Sequence, residues 1–190
     1  MHRLAIFASG EGTNAQNFID FFKNRDDVKI ALIVCNRKEA GVVQKAKQAN
    51  IPFLIVDKET FYNTNLVLNE LKEKADFIVL AGFLWMIPEN IIDAYKGKMV
   101  NIHPALLPNY GGKGMYGAKV HEAVIANGEI ASGITIHYVN NMYDDGEIIF
   151  QEKCPIEPFD TPETLAKKIH QLEYIFYPVI VDVLLRGNIS

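Results

Sequence analysis

The sequence predicts an α/β fold: a single-domain, Rossmann-like open twisted sheet, mostly parallel with an antiparallel C-terminal portion, and with helices on both faces. Short apolar runs alternate with amphipathic stretches through the first half of the chain, which is the rhythm of strand–helix–strand units in a parallel sheet. The run FIVLAGF at 77–83 shows no alternation of apolar and polar residues, which is typical of a strand buried on both faces. Two later apolar runs flank an Asp-Gly pair, which indicates antiparallel strands.

The individual elements follow from apolar periodicity and from helix-end signals. Strands are predicted at 3–8, 29–35, 53–57, 77–83, 99–102, 132–139 and 148–156. Helices are predicted at 13–24, 41–50, 59–75, 89–97, 116–127 and 161–187. In the last helix, Thr161 is the expected N-cap, Pro162 fits the first helical position and Gly187 fits the terminator. Pro178 should kink this helix or split it.

The composition is that of one globular domain. Of the 190 residues, 49% are hydrophobic and 22% are charged, so the chain can bury a core of ordinary size. The formal net charge is −4 and the 19 basic residues are scattered, which gives no electrostatic footprint for nucleic acid. The longest apolar run falls short of the roughly 20 residues that a membrane helix needs. Cys35 and Cys154 fit neither a disulfide framework nor a zinc site, so we expect buried thiols in a soluble, cytoplasmic protein.

The segment SGEGTN at 9–14 joins the first predicted strand to the first predicted helix. Its glycines allow a tight turn and a close approach to a ligand, and a helix N-terminus favours an anion such as a phosphate. Thr13 or Asn14 can cap the helix. The segment matches neither the dinucleotide fingerprint nor the P-loop, so it indicates neither an NAD site nor an ATP site. A plain strand-to-helix turn with a cap is the alternative.

Asn101 and His103 stand on alternate positions at the end of the fifth predicted strand. Alternate residues of a strand share one face, and ligands of open α/β sheets bind at the carboxyl ends of the strands. An Asn amide can stabilise an oxyanion, and a His can transfer a proton near neutral pH. Asp144, in the Asp-Asp-Gly turn, could bring a carboxylate to His103 and orient its imidazole. The alternatives are a strand end with satisfied polar groups and an ordinary Asp-Gly hairpin turn.

Other polar residues favour structural roles. His121 lies in an amphipathic helix and is expected to face solvent or to cap, while His137 could line a pocket or simply be hydrogen-bonded. Packing is the expected role of Tyr110, Tyr116, Tyr174 and Tyr177. A metal site built from His103, His121, His137 and Asp144 is disfavoured, because no pair of them has ligand-like spacing on one element.

Three segments, taken in order, carry a family signature: FASGEGTN near the start, LAGFLWMIP before the Asn-His strand, and NIHPALLPNY followed by HYVNNMYDDGEIIFQ. Together they resemble the glycinamide ribonucleotide formyltransferase family, folate-dependent enzymes of purine biosynthesis. QLEYIFYP near the end extends the resemblance over essentially the whole chain. The resemblance implies one formyltransferase domain over 1–190, with ribonucleotide phosphate binding in its N-terminal half and folate binding in its C-terminal half.

The same resemblance implies formyl transfer from 10-formyltetrahydrofolate, as co-substrate, to the amine of 5′-phosphoribosylglycinamide, without a metal. The implied catalytic residues are Asn101, His103 and Asp144, with Asp145 as the alternative acid. The implied ribonucleotide contacts are Gly12, Thr13, Asn14 and Glu173. The implied folate contacts are Leu84, Trp85, Met86, Ile87, Asn101, Asn140, Asn141, Met142 and Tyr143. The expected partners are these two small molecules, with neither nucleic acid nor membrane, and the expected state is a monomer or weak homodimer.

The chain departs from the commoner family pattern near the expected folate site. The loop at 111–117 is longer, Lys119 stands near an expected histidine, and Trp85 stands where an arginine is common. No basic residue lies near Thr64 to meet the folate's glutamate tail. These departures concern the folate contacts and leave the implied chemistry intact.

Rival functions stay open on the sequence alone. A formyltetrahydrofolate hydrolase is expected to carry a regulatory domain, and a methionyl-tRNA formyltransferase a tRNA-binding domain, for which 190 residues leave no room. A dehydrogenase would need a third glycine in the first loop and an acidic residue after the second strand, where Asn36 and Arg37 stand. A Rossmann-like nucleotide-binding module without catalysis is the remaining alternative.

Overall fold

The computed structural model describes residues 1–187 as an alternation of strands and helices. The strands are β1 (His2–Ala8), β2 (Val28–Cys35), β3 (Phe53–Ile55), β4 (Phe77–Leu80), β5 (Met99–His103), β6 (Ala131–Tyr138) and β7 (Ile148–Pro155). The helices are α1 (Thr13–Phe22), α2 (Gly41–Gln48), α3 (Lys58–Asn63), α4 (Leu66–Lys74), α5 (Glu89–Ala94), α6 (Ala118–Ala126) and α7 (Pro162–Leu185). Every predicted strand is present, so apolar periodicity is sufficient to locate the strands of this chain.

The strands form one mixed sheet in the order β3-β2-β1-β4-β5-β6-β7. Strand β1 pairs in parallel with β2 and with β4, and β2 pairs in parallel with β3. Strands β6 and β7 are antiparallel, with Ala131 opposite Pro155 and His137 opposite Ile148. The predicted fold class, a mostly parallel α/β sheet with an antiparallel C-terminal portion, is confirmed.

The chain packs as two compact units, of which the first is Met1–Val100 and the second begins at Asn101. In the first unit, β4 is buried at every position, and β1 is completely buried from Leu4 to Ala8. A strand covered on both faces has no solvent-facing position, which explains why both strands are uninterrupted apolar runs. The single domain expected over 1–190 stays a prediction.

An aromatic cluster fixes the course of the chain just after β4. Phe7 meets Phe83 edge-on, with ring centroids 5.2 Å apart, and Phe61 of α3 lies 5.5 Å from Phe83. Trp85 lies 5.8 Å from Phe61. Phe7 and Phe61 are essentially inaccessible to water, and burial of each side chain contributes about 1.5–3 kcal/mol.

The helix predicted at 59–75 is two helices, α3 and α4. The break lies at Thr64, whose backbone is extended. The Thr64 hydroxyl donates to the carbonyl of Thr60 at 2.7 Å and accepts from the N–H of Leu66 at 3.2 Å. A threonine that bonds to the backbone on both sides competes with the helical ladder, and apolar periodicity does not register that competition.

Helix α7 begins as predicted and differs from its prediction in the middle. The Thr161 hydroxyl accepts from the N–H of Thr164, and Pro162 occupies the first helical position. The helix is continuous through Pro178, so the predicted split is wrong. Pro178 and its neighbour Tyr177 are buried, and packing of this kind stabilises a helix more than one lost backbone hydrogen bond weakens it.

The cysteines are free thiols in different surroundings. Cys35, on β2, is fully buried as predicted. Cys154 is only half-buried, because β7 lies at the edge of the sheet and is partly open to solvent. In residues 1–187, no helix combines the length and the apolar character that crossing a membrane requires.

Thr161→Ala should lower the free energy of unfolding by about 1 kcal/mol, because it removes the hydroxyl that caps α7. Thr161→Ser keeps a capping hydroxyl and should stay within about 0.3 kcal/mol of the wild type. Urea unfolding followed by circular dichroism measures both variants. Equal losses for alanine and serine would mean that the threonine methyl group, and not the cap, is responsible.

Candidate active site

Strand β5 delivers two polar side chains, Asn101 and His103, to its carboxyl end. Successive residues of a strand point to opposite faces, so these two share a face and Ile102 between them does not. Both reach Asp144: Asn101 Nδ2 lies 3.5 Å from Oδ1, and His103 Nδ1 lies 3.4 Å from Oδ2. His103 is only 3% exposed. An amide, an imidazole and a carboxylate therefore converge at one strand end within the second unit.

Asp144 lies in the turn between β6 and β7 with a left-handed backbone, at φ +52°. This conformation turns its carboxylate inward, where the side chain is 13% exposed. Oδ2 also accepts a hydrogen bond from the backbone N–H of Gly112 at 3.0 Å. Asp145 is exposed and accepts instead from Asn140 Nδ2 at 3.3 Å. Of the two acids that the sequence leaves open, Asp144 is the one beside His103.

His137, on β6, fixes the orientation of the Asn101 amide. Its Nδ1 lies 2.8 Å from the carbonyl oxygen of Tyr138, which can only accept, so Nδ1 carries the proton. Nε2 is then an acceptor, and Asn101 Nδ2 donates to it at 3.1 Å. One amide hydrogen of Asn101 is thus held by His137, while the other faces Asp144 across the longer 3.5 Å contact.

His137 is the residue of this group whose role the sequence leaves undecided. A signal is present, since His137 and Thr135 are two inward-facing polar residues on one face of an apolar strand, and each is at most 3% exposed. The partner is not visible in the sequence, because Asn101 lies on a different strand. The structure supplies this missing partner, because it shows that buried polar side chains on neighbouring strands form one cluster.

The proton positions on His103 follow from its neighbours. Nε2 lies 2.8 Å from the carbonyl oxygen of Tyr110, so Nε2 carries a hydrogen. Nδ1 is then the nitrogen that gains or loses a proton, and it faces Asp144. In the neutral ring, two acceptors face each other across this gap, whereas in the imidazolium they form an ion pair. Protonation of His103 therefore strengthens its contact with Asp144.

Burial and charge act in opposite directions on this pair. Burial lowers the pKa of His103 and outweighs the Asp144 charge and the Tyr110 carbonyl, which both favour the imidazolium. Burial raises the pKa of Asp144, but the charge of His103 and the Gly112 N–H together bring it below its usual value. His137 Nε2 lies 3.8 Å from Asp144, too far for a hydrogen bond. The free protein thus has an ionised Asp144 beside a largely neutral His103 at pH 7.

A buried hydroxyl holds the turn that follows β5. Thr135 Oγ1 donates to the carbonyl of Ala105 at 2.7 Å and accepts from the N–H of Leu107 at 3.0 Å. Gln151 Nε2 donates to the Leu107 carbonyl and to Thr135 Oγ1, both at 2.9 Å. A buried network of this kind is stable only when its members are satisfied together, so it fixes the direction in which the chain leaves His103.

Glu173 lies on α7 with 5% of its surface exposed. Its Oε2 is 3.0 Å from His170 Nδ1, and this hydrogen bond raises the pKa of His170. His121, expected to face solvent or to cap, is instead 4% exposed on α6, where burial lowers its pKa. That prediction is wrong because α6 packs against α7, which covers a face that α6 alone would expose. The charge of Glu173 acts on both His121 and His103.

In the first unit, the loop after β1 enters α1 at Gly12. Gly12 has φ +71°, and a Cβ there would come within 2.5 Å of Val42 Cβ, so the position requires glycine. Thr13 is exposed, and Asn14 is 9% exposed. No side chain in residues 1–187 caps α1, whose N-cap is Gly12, so the prediction of a Thr13 or Asn14 cap is wrong.

The segment 84–87 has its backbone held within the first unit. The Leu84 N–H donates to Ser9 Oγ at 2.9 Å, and the Met86 carbonyl accepts from the Tyr62 hydroxyl at 3.0 Å. The side chains differ in exposure: Leu84 is exposed, Trp85 and Met86 are half-buried, and Ile87 is buried. A fixed backbone with an open apolar side chain suits contact with a flat ligand.

The segment 140–143 leads directly into Asp144 in the second unit. Asn140 Oδ1 accepts from the N–H of Met142 at 2.9 Å, which closes an Asx turn. Met142 is 63% exposed and Tyr143 is 44% exposed, and Asn141 is also exposed. Two neighbouring apolar side chains are thus open to solvent immediately beside the acid.

The tyrosines do not share one role. Tyr177 is completely buried, as predicted, whereas Tyr116 is 50% exposed, so the packing prediction is wrong for Tyr116. Tyr174 is 37% exposed and its ring stacks on that of His170. Tyr110 contributes its carbonyl oxygen to His103, which side-chain reasoning does not reveal. Across residues 1–187, no cluster of three or more His, Cys, Asp or Glu side chains could hold a metal ion.

Comparisons with known proteins converge on one family. Residues 2–181 match the family model described as Formyl transferase. The chain is 35% identical over 194 residues to a phosphoribosylglycinamide formyltransferase of Bacillus subtilis, an alignment that covers 99% of this chain and 97% of that protein. A chloroplastic phosphoribosylglycinamide formyltransferase of Arabidopsis thaliana is 38% identical over 198 residues, covering 99% of this chain and 67% of that protein.

Solved structures agree with the sequence comparisons. The crystal structure of phosphoribosylglycinamide formyltransferase from Bacillus halodurans superposes with a TM-score of 0.87 at 39% identity, covering 96% of this chain and 95% of that one. Glycinamide ribonucleotide transformylase 1 from Geobacillus kaustophilus gives a TM-score of 0.88 at 38% identity, covering 97% and 99%. The likeness therefore extends over both units of the chain.

Asp144→Asn should lower the pKa of His103 further in the free protein, because it removes the negative charge that favours the imidazolium. An NMR titration of the His103 imidazole measures this pKa directly. Asp145→Asn is the matched control, since Asp145 bonds to Asn140 and should leave the His103 titration unchanged. A higher His103 pKa in Asp144→Asn, or equal shifts in the two variants, would contradict the geometry.

Proposed function

The chain belongs to the formyl transferase family, and from that premise we propose that it transfers the formyl group of 10-formyltetrahydrofolate to the amine of 5′-phosphoribosylglycinamide in de novo purine biosynthesis. The observation that carries the proposal is the convergence of the Asn101 amide and the His103 imidazole on Asp144. Similarity over nearly the whole chain to proteins named phosphoribosylglycinamide formyltransferase supports the choice of acceptor.

In the proposed reaction, the amine nitrogen attacks the formyl carbon, a C–N bond forms, and the carbonyl electrons move onto oxygen. The oxyanion then collapses and the bond from that carbon to the folate nitrogen breaks. The folate nitrogen takes up a proton, and the attacking nitrogen loses one. The products are the formylated ribonucleotide and tetrahydrofolate, and no covalent intermediate with the protein is needed.

Asn101 is the proposed first donor to the oxyanion. Its amide hydrogen facing Asp144 makes a long, weak contact, so this is the hydrogen that an oxyanion would take over. The bond to His137 already fixes the amide, so the donor needs no reorganisation as charge develops. Preorganised donors of this kind are among the largest contributions to acyl-transfer catalysis.

His103 and Asp144 would move the protons. Asp144 is ionised because its pKa is low, so it can take the proton that the amine loses. His103 Nδ1, 3.4 Å away, is the group through which this proton can reach the departing folate nitrogen. The negative charge on the formyl oxygen favours the imidazolium, so His103 becomes a cation when a cation is needed.

For the ribonucleotide we propose Gly12, Thr13, Asn14 and Glu173. The N-terminus of α1 lacks a side-chain cap in residues 1–187, which leaves the positive end of the helix to a phosphate. Gly12, without a Cβ, lets the loop backbone approach both Val42 and an anion. Glu173 would accept hydrogen bonds from the ribose or glycinamide end.

For the folate we propose Leu84, Trp85, Met86, Ile87, Asn101, Asn140, Asn141, Met142 and Tyr143. The exposed apolar side chains of Leu84, Met142 and Tyr143 support contact with the flat pterin ring. We propose one formyltransferase domain over 1–190, with small-molecule partners only, acting in the cytoplasm as a monomer or weak homodimer. The C-terminal half would then supply folate contacts beside the reacting groups.

Purified protein given both substrates should release tetrahydrofolate only when the ribonucleotide is present, because the formyl group moves to its amine. Absorbance of the folate product measures turnover, and mass spectrometry identifies the formylated ribonucleotide. Formate released without the ribonucleotide would identify a formyltetrahydrofolate hydrolase instead. Binding without any turnover would identify a nucleotide-binding module.

His103→Ala should lower kcat by about 10²–10⁴-fold, because it removes the group that carries the proton to the departing folate nitrogen. The KM for the ribonucleotide should change much less. His2→Ala, at an exposed histidine that begins β1, is the matched control and should retain wild-type turnover. Equal losses of kcat and of ribonucleotide affinity would contradict the assigned role.

A further inference from the structure

The backbone of residues 110–112 contacts both members of the His103–Asp144 pair. The carbonyl oxygen of Tyr110 accepts from His103 Nε2 at 2.8 Å. Two residues later, the N–H of Gly112 donates to Asp144 Oδ2 at 3.0 Å. The acceptor meets the imidazole and the donor meets the carboxylate, which favours the charged form of each. We name these two groups, the Tyr110 carbonyl and the Gly112 N–H, the backbone clamp.

The backbone clamp begins at a residue in a costly conformation. Tyr110 has φ +57°, a left-handed conformation that bulky residues rarely adopt because it is strained. Such a conformation persists only where surrounding contacts impose it. The Tyr110 hydroxyl supplies them: it donates to Glu129 Oε1 at 2.7 Å and accepts from Asn127 Nδ2 at 3.0 Å. Asn127 is the C-cap of α6, so the hydroxyl fastens the segment to a helix end.

We propose that Tyr110 is a positioning residue for the reaction: its hydroxyl, held by Glu129 and Asn127, keeps the backbone clamp on His103 and Asp144. This inference rests on the proposed function, because it assigns Tyr110 a role through the residues that are proposed to react. The side chain of Tyr110 meets Glu129 and Asn127, and its carbonyl meets His103. Tyr110 is therefore not itself a catalytic residue.

The backbone clamp decides which nitrogen of His103 exchanges its proton. While the Tyr110 carbonyl holds the hydrogen on Nε2, proton exchange is confined to Nδ1, beside Asp144. If the carbonyl moves away, the imidazolium loses an acceptor and its formation becomes less favourable. If the Gly112 N–H moves away, the ionised carboxylate of Asp144 loses a donor. Both losses weaken the ion pair that the proposed transfer requires.

Other titratable groups also face His103. They are Asp144 in the β6–β7 turn, Glu173 on α7, His137 on β6 and His121 on α6. The two carboxylates favour the imidazolium, and His137 disfavours it. Removing one hydroxyl from Tyr110 alters none of these charges. A change in the His103 titration in that variant therefore reports the backbone clamp.

Tyr110→Phe keeps the ring and removes only the hydroxyl. In an NMR titration, the His103 pKa should fall below its wild-type value. The kcat should fall about tenfold or more, the range that a hydrogen bond to a charged group contributes, with little change in KM. Tyr116→Phe, the same substitution at an exposed tyrosine, is the control and should change neither the titration nor kcat.

Glu129 provides a conservative rescue. Glu129→Gln keeps an acceptor for the Tyr110 hydroxyl and should retain the wild-type His103 titration and kcat. Glu129→Ala removes that acceptor and should reproduce the effects of Tyr110→Phe. Both substitutions remove the same charge, so the difference between them isolates the hydrogen bond.

Gly112→Ala tests the second group of the backbone clamp against a matched glycine. Gly112 has φ +91° and Gly114 has φ +94°, and a Cβ at either position would meet no atom of a non-neighbouring residue within 4 Å. Alanine therefore imposes similar backbone strain at both, but only Gly112 donates to Asp144. Gly112→Ala should raise the Asp144 pKa and lower kcat about tenfold, whereas Gly114→Ala should cost similar stability without either effect.

The inference is overturned if Tyr110→Phe leaves the His103 pKa at its wild-type value. A fall in stability or kcat alone would not support it, because a merely structural role of Tyr110 would produce the same fall. Equal behaviour of Gly112→Ala and Gly114→Ala, or of the glutamine and alanine variants of Glu129, would also overturn it. The proposed function fails by a different result, namely wild-type turnover in His103→Ala. The titrations need no substrate, so the two failures are distinguishable.

Discussion

The site depends on keeping a carboxylate ionised in a place that is nearly dry. The Asp144 side chain is 13% exposed, and burial of an isolated carboxylate costs several kcal/mol. Two donors offset that cost, the Gly112 N–H at 3.0 Å and the Asn101 amide at 3.5 Å, and His103, 3.4 Å away, adds to them once it is protonated. Without them the acid would take up a proton and could no longer accept one. A strand end, a turn and a loop must therefore meet at one group.

The antiparallel pairing of β6 and β7 helps to bring these groups together at Asp144. Parallel strands need a long crossover between them, whereas antiparallel strands can be joined by a short turn. The turn between β6 and β7 therefore brings Asp144 back beside His137, which β6 has just placed on the inner face. Gly146 allows the turn to close, since a Cβ at that position would collide with the carbonyl of Tyr138.

The alternation of strand residues predicts that Asn101 and His103 share a face, because period 2 depends on backbone geometry alone. No such pattern distinguishes Asp144 from Asp145, because the left-handed backbone of Asp144 decides which carboxylate turns inward. His121 is mispredicted for a different reason: periodicity identifies an apolar face of α6 but not which other face α7 covers. The Tyr110 carbonyl and the Gly112 N–H are backbone groups that almost any residue would present, so no side-chain signal could identify them.

The two histidines of the site differ only in what faces their second nitrogen. Each has one ring nitrogen bonded to a backbone carbonyl, His103 to Tyr110 and His137 to Tyr138, both at 2.8 Å. The other nitrogen of His137 accepts from the amide of Asn101. The other nitrogen of His103 meets a carboxylate, which favours the protonated ring. One imidazole is thereby suited to hold Asn101 in place and the other to carry a proton, so the proposed transfer needs only one mobile proton between two groups already in position.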